Sequence, residues 1–172
     1  MGVKGNRQKP KLISTVEMEV AIAKMFDIRK HIVVPNLSWG FDGMHECDLF
    51  FVRKTGYAFE VEIKRSKADL LADFKKGHNH VDKKNRIVQL YYAIPRELLK
   101  KCEEHIPEDS GIIICEKYES NGKYYSYASI HREAKRKKGA RKLNAKERLK
   151  VASLGCMRIW KLKEKIIHLK YE

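Results

Sequence analysis

The stretch CDLFFVRKTGYAFEVEIKR, residues 47 to 65, decides the fold. Two segments rich in aromatic and β-branched residues meet through Thr55 and Gly56, which is the pattern of a β-hairpin. In the second arm Phe59, Val61 and Ile63 alternate with Glu60, Glu62 and Lys64. A strand turns successive side chains to opposite faces, so one face is apolar and the other carries three charges at a spacing of ~7 Å. In the first arm Asp48 stands at the start of the strand. Neighbouring strands lie ~5 Å apart, so Asp48 can approach Glu62, provided the register is right. A slip of one residue would turn it to the opposite face.

Outward from the hairpin, the chain alternates between helical and strand patterns. After a basic arm over residues 1–11, STVEMEVAIAKMF places Met18, Ile22, Met25 and Phe26 at helical spacing, with Ser14 or Thr15 as the N-cap. HIVVPNL reads as a strand interrupted at Pro35. SKADLLADFKKG reads as a polar helix capped by Ser66 and stopped by Gly77. RIVQLYYAIP, RELLKKCEEHI and SGIIICEKYE then form a strand, a helix and a strand, a crossover that makes the two strands parallel neighbours. KYYSYASIHRE reads as an exposed aromatic strand. The final stretch, VASLGCMRIWKLKEKIIHLKYE, reads as a helix ending at Gly155 followed by a terminal strand. The expectation is a mixed α/β core over residues 12–130, with residues 131–172 as a basic extension packing on the same domain.

Composition narrows the partners. The 172 residues carry 37 Lys and Arg against 22 Asp and Glu, a formal net charge of +15. So large a basic excess favours a polyanion, above all nucleic acid. No apolar run approaches the ~18 residues of a membrane span, and no signal-peptide pattern follows the N-terminal arm. A cytoplasmic protein without a membrane partner is expected, with a homodimer possible. Cys47, Cys102, Cys115 and Cys156 lack CxxC spacing and read as reduced thiols.

Two carboxylates held together repel, and a divalent cation relieves that repulsion. Mg²⁺, or Mn²⁺ in its place, takes oxygen ligands from one or two carboxylates and leaves its other positions to water and phosphate oxygens. Lys64, two residues beyond Glu62 on the same face, would then point at whatever the metal binds.

An acid at the start of one strand, followed on the next by acid, any residue and lysine, resembles the signature of the PD-(D/E)XK nuclease superfamily. Here those positions are Asp48 and Glu62-Ile63-Lys64, with Cys47 where the family name has proline. HECDLFFVRKTGYAFEVEIKRSKADLLADFKK also resembles small nuclease-like proteins of bacteria and phages, including MmcB-like DNA repair proteins. The resemblance spans roughly residues 12 to 116 and implies a restriction-endonuclease-like αβββαβ core. It further implies metal-dependent hydrolysis of phosphodiester bonds, in DNA rather than RNA, in repair, recombination or phage DNA processing. Asp48, Glu62 and Lys64 would be catalytic, and Asp48 and Glu62 would hold the metal. Many members add a glutamate from the first helix; of Glu17 and Glu19, Glu19 borders the apolar stripe and is chosen. Glu60 has no assigned role.

Lys67, Lys75, Lys76 and His78, beside the signature, are candidate phosphate contacts, as are Arg136, Lys137, Lys138 and Arg141 in the basic tract. His78-Asn79-His80 is a chance tripeptide, because no ββα-metal pattern surrounds it. Asp69 and Asp73, four residues apart on the polar helix, read as surface charge. Tyr124, Tyr125 and Tyr127 either stack on bases or close an edge of the core.

Overall fold

A computed structural model describes residues 12–37, 46–75 and 85–169, a mixed α/β protein built on one six-stranded sheet. Helix α1 (Thr15–Met25) is followed by strands β1 (His31–Leu37), β2 (Cys47–Arg53) and β3 (Ala58–Ile63), then helix α2 (Lys67–Lys75). Strand β4 (Ile87–Pro95), a short helix α3 (Leu99–Cys102) between two 3₁₀ turns, and strands β5 (Gly111–Ser120) and β6 (Lys123–Arg132) come next. Helix α4 (Ala145–His168) closes the described chain. Spatial order equals sequence order, β1 to β6, with β3–β4 and β4–β5 parallel and the other pairs antiparallel.

Local signals act where the sequence puts them. The Ser14 hydroxyl accepts the Glu17 N–H while the Glu17 carboxylate accepts the Ser14 N–H, a capping box that starts α1. The Asp69 N–H donates to Ser66 Oγ at the entry to α2. Strand β1 runs unbroken through Pro35, contrary to the expected interruption, because β1 is an edge strand and loses no ladder bond there. Among the described residues there is no terminal strand where one was expected: α4 continues as one helix through Gly155 to His168. Its start is fixed by a second capping box, Asn144 with Glu147, and Gly155 is tolerated where the helix meets β1, an added Cβ there lying 3.1 Å from Val34 Cγ2.

The sheet buries both faces. On one, α1 sets Met18, Ala21 and Ile22 against Leu49, Phe51, Phe59, Val61 and Ile63. Phe51 and Phe59 stack at 4.7 Å across the hairpin, and Phe26 tilts onto Phe59 at 4.8 Å. The opposite face carries two separate apolar patches. One gathers Val34, Phe50, Val52, Ala58 and Ile87 with Leu143 and Val151 at the α4 end. The other gathers Tyr92, Ile94 and Ile112 with Leu70 of α2 and Cys102 of α3. Glu60 and Glu62 belong to neither patch, although every residue of β3 is buried.

Close packing of the parallel strands rests on one small residue. Gly111 pairs with Tyr91, and a Cβ at residue 111 would lie 2.3 Å from Cδ1 of that ring. Gly111→Ala should therefore destabilise the protein by about 3 kcal/mol, read as a lower urea midpoint at unchanged m-value. A midpoint within error of wild type would show that the Tyr91 ring moves aside freely.

Candidate functional site

The hairpin register answers the question that the sequence left open. Leu49 pairs with Val61 and Phe50 with Glu60, so one step further along the ladder Asp48 stands across from Glu62. Regular pairing stops at Leu49, and there the Asp48 carboxylate replaces a backbone acceptor: its Oδ2 takes the Ile63 N–H at 2.7 Å. Asp48 is half-buried, whereas Glu62 is 5% and Lys64 6% exposed. Glu62 pairs on its other side with Tyr92 of β4, and the Lys64 N–H donates to the Ala93 carbonyl at 2.9 Å. Asp48 and Glu62 thus stand across from each other where β2 and β3 part, with Lys64 ion-paired to Glu62.

Lys64 is held from two sides. Its Nζ lies 3.1 Å from Glu62 Oε2 and 3.1 Å from Asp73 Oδ1. Asp73 is not the surface charge that its helical spacing suggested: Ser66 starts α2 immediately after β3, so the second turn of the helix passes back over the end of the strand. The side chain of Asp73 is 17% exposed. No sequence pattern singles out Asp73; the sharp strand-to-helix reversal at Ser66 was the only available signal.

Negative charge outweighs positive charge in this pocket of the fold. Burial, then the charges of Asp48 and Glu60, push the Glu62 carboxyl up to about 7, against the pull of Lys64. Asp48 is raised by burial, with Asp69 and Asp73 adding to the rise while the Ile63 N–H and Lys64 oppose it. For Lys64, burial alone would favour the neutral amine, but Glu62 and Asp73 outweigh it and hold the ammonium. Burial also raises the Tyr92 hydroxyl, as do Asp73, Glu62 and Glu60, which keeps it a phenol. One oxygen, Glu62 Oε1, is buried without a hydrogen-bond partner. An orphaned buried carboxylate oxygen amid like charges calls for a proton or a cation.

Divalent-metal chemistry fits these residues in part. Asp48 and Glu62 supply the one or two carboxylates that Mg²⁺ commonly takes from a protein. Among the described residues no three His, Cys, Asp or Glu side chains converge as a ready-made metal site. Glu19 is near enough for the Asp48 charge, after burial, to raise its carboxyl, and Asn36 opposes that rise. Glu17 faces elsewhere, engaged by Ser14 and Lys117. Of the two helix acids, it is Glu19 whose carboxyl feels the Asp48 charge. Glu60 is fully buried beside Cys47, whose Sγ lies 3.4 Å from Glu60 Oε2. Its charge contributes to the Glu62 shift, which gives this acid an electrostatic effect on the site.

The predicted phosphate contacts divide. Lys67 opens α2 at the edge of the site; Lys75 ends that helix, and Lys76 and His78, with His80, lie outside the described residues. The basic tract runs along the opposite end of the sheet. Lys137 N–H donates to Val88, Arg141 N–H to Asn85 and Leu143 N–H to Gly56, all at the closed end of the hairpin. Gly56 is six residues from Glu62, or roughly 20 Å along a strand. Arg136 sits over the Tyr57 ring at 4.8 Å, and the Arg141 guanidinium forks onto Glu147 at 2.6 and 2.8 Å. Lys137 and Lys138 are exposed.

No family model matches this chain, and no curated protein matches it. A solved structure of a protein of unknown function from Silicibacter pomeroyi is similar in fold, with a TM-score of 0.58 at 17% identity over 96% of this chain and 97% of that one.

The raised Glu62 carboxyl has a measurable consequence. The folded protein binds more protons than the unfolded chain between the ordinary value of 4.5 and about 7, so stability falls as pH rises through that window. Without divalent cations, Glu62→Gln should raise stability at pH 8 by an amount on the order of 1–3 kcal/mol. The gain should vanish near pH 4, where Glu62 is already protonated. Thermal unfolding at the two pH values checks this, and an equal gain at both would assign the effect to packing.

Proposed function

We propose that this protein is a metal-dependent nuclease of the PD-(D/E)XK type that hydrolyses phosphodiester bonds in DNA. The observation that carries this reading is the buried excess of carboxylate at Asp48 and Glu62, with an unpartnered Glu62 oxygen and Lys64 alongside. A protein of net charge +15 could have covered that strand face with apolar residues, as it did on both sides. The element order α1-β1-β2-β3-α2-β4 agrees with a restriction-endonuclease-like core.

In this reading Asp48 and Glu62 hold Mg²⁺ or Mn²⁺, with Glu19 assisting from α1. The bound ion supplies Lewis acidity toward a phosphate oxygen and lowers the pKa of a water. The chain's own groups do the rest. The Ile63 N–H fixes the Asp48 carboxylate, and Asp73 holds Lys64 Nζ beside Glu62 as an ammonium, placed to stabilise charge on a phosphoryl oxygen. Lys67, at the start of α2, would contact the substrate; the tract of Arg136, Lys137 and Lys138 would act further along the nucleic acid as nonspecific contacts. Location in the cytoplasm and a role in repair or phage DNA processing belong to the same proposal.

One observation favours a second reading, a nucleic-acid-binding protein that does not cut. Glu62 and Asp73 both pair with Lys64, so this buried ammonium is neutralised internally. Cleavage assays on single-stranded, duplex and branched DNA separate the two. The nuclease reading expects cleavage with Mg²⁺ or Mn²⁺, none with EDTA, and losses of about 100-fold or more in Asp48→Asn and Lys64→Ala. Cleavage unaffected by either substitution would sink it, and a mobility shift without cleavage under every metal condition selects the binder. Asp73→Asn tests the clamp: with one of its two carboxylates gone, the Lys64 ammonium should lose its proton at lower pH, moving the alkaline limb of activity downward.

A further inference from the structure

The β5–β6 hairpin projects beyond the rest of the sheet. β4 ends at Pro95, opposite Cys115, so from Glu116 onward β5 pairs with β6 alone. Asn121 and Gly122, both at positive φ, form the two-residue turn at its tip, which fixes the register of the two arms. Because β3, β4 and β5 run parallel, the hairpin points the same way as the end of β3, where Glu62 and Lys64 lie.

Register also fixes the faces. Glu62 pairs with Tyr92 and Tyr92 with Ile112, so these three share one face of the sheet. Alternation along β5 puts Glu116 and Tyr118 on that same face, together with their cross-strand partners Tyr127 and Tyr125. Tyr124 stands on the other face, opposite Glu119, with Lys117 Nζ 5.0 Å from its ring centre. Tyr118, Tyr125 and Tyr127 are 53%, 45% and 53% exposed, so none of them closes an edge of the core.

Three half-exposed rings on one face, clear of the body of the sheet, form a platform. Tyr118 and Tyr125 stack with centroids 5.5 Å apart and planes inclined by 22°. That pair stiffens the hairpin, but Tyr127 lies opposite an acid, Glu116, whose carboxylate is held by the Arg96 guanidinium at 2.5 Å. The acid on this face is thus neutralised, and the half-exposed guanidinium stays close enough to Tyr127 to feel it. Lys100 and Lys101 are exposed on α3, which packs through Cys102 on the same face, beside Leu70 of α2. Tyrosine rings stack on nucleobases of any sequence, and cations alongside them meet the phosphates. A duplex hides its base faces within its own stack, whereas a single strand presents them. Tyr118 lies six residues beyond Ile112, or ~20 Å further along the sheet than Glu62, a span that a few nucleotides cover.

We propose, resting on the nucleic-acid reading above, that Tyr118, Tyr125 and Tyr127 stack on unpaired bases of the strand whose backbone enters the candidate site. The substrate is then single-stranded nucleic acid, or a duplex with a single-stranded flank.

Fluorescence anisotropy of a labelled oligothymidylate of about 20 nucleotides, read with the full chain in EDTA, should show tighter binding than to a duplex of equal length. Tyr118→Ala combined with Tyr127→Ala should weaken single-strand binding by about 5- to 100-fold and leave duplex binding within about twofold. Tyr118→Phe combined with Tyr127→Phe keeps the rings and should bind as the wild type does. Tyr124→Ala, on the other face, should do the same. An equal loss on strand and duplex, an equal loss in Tyr124→Ala, or no loss at all overturns the proposal, as does a wild-type chain that favours the duplex. Irradiation of the wild-type chain with a bromouracil-substituted strand needs no variant to fold: the crosslink should map to Tyr118, Tyr125 or Tyr127, and crosslinks mapping only elsewhere overturn the proposal. Neither assay reads cleavage, so a chain that never cuts yet discriminates strands in this way refutes the nuclease reading alone.

Discussion

The pairing of Leu49 with Val61 is the constraint on which this structure depends. It stacks Phe51 on Phe59 beneath α1 and, on the reverse face, brings Asp48 across from Glu62. A register shifted by one residue would turn acids under α1 and carry aromatic rings to the opposite face. The apolar core therefore enforces the polar site: the free energy of packing Phe26, Phe51, Phe59 and Tyr91 resists the mutual repulsion of the acids on the other face. Pairing ends at Leu49, so the acid at position 48 is free to take the Ile63 N–H with its side chain.

Glu60, Glu62 and Lys64 are buried in the strip between two apolar patches and belong to neither. A buried charge cluster with an excess of carboxylates costs stability, and Lys64 offsets only part of that cost. Strain of this kind is kept where a ligand relieves it. Asp73 adds a further negative charge to the strip while gripping Lys64, so α2 does more than close the fold: with Glu62 it favours the Lys64 ammonium and holds its Nζ in place.

Among the described residues the basic excess is not gathered at the site. Its densest run wraps the far end of the sheet, and part of it serves structure, as Arg141 does by clasping Glu147 at the start of α4. The cations of the α4 tail share their helix with exposed apolar residues. Net charge read from composition reported a tendency toward polyanions, but it did not say where on the molecule that tendency would act.

The sequence by itself determined the hairpin, the alternation that separates its faces, the Ser14 and Ser66 caps, the parallel β4–β5 crossover and the candidate trio Asp48, Glu62 and Lys64. Each follows from patterns within a few residues, where backbone geometry leaves little choice. What failed was local as well, where context outweighed pattern. Pro35 breaks a central strand but not an edge strand, and Gly155 ends a helix unless a neighbour needs the space its side chain would fill. Only the tertiary structure decided that Asp73 grips Lys64, that Glu60 is buried beside Cys47, and that the tract from Arg136 to Arg141 lies far from Glu62. Those facts depend on where elements distant in sequence come to rest. That is set by the sum of packing over the whole sheet, and no window of sequence contains it.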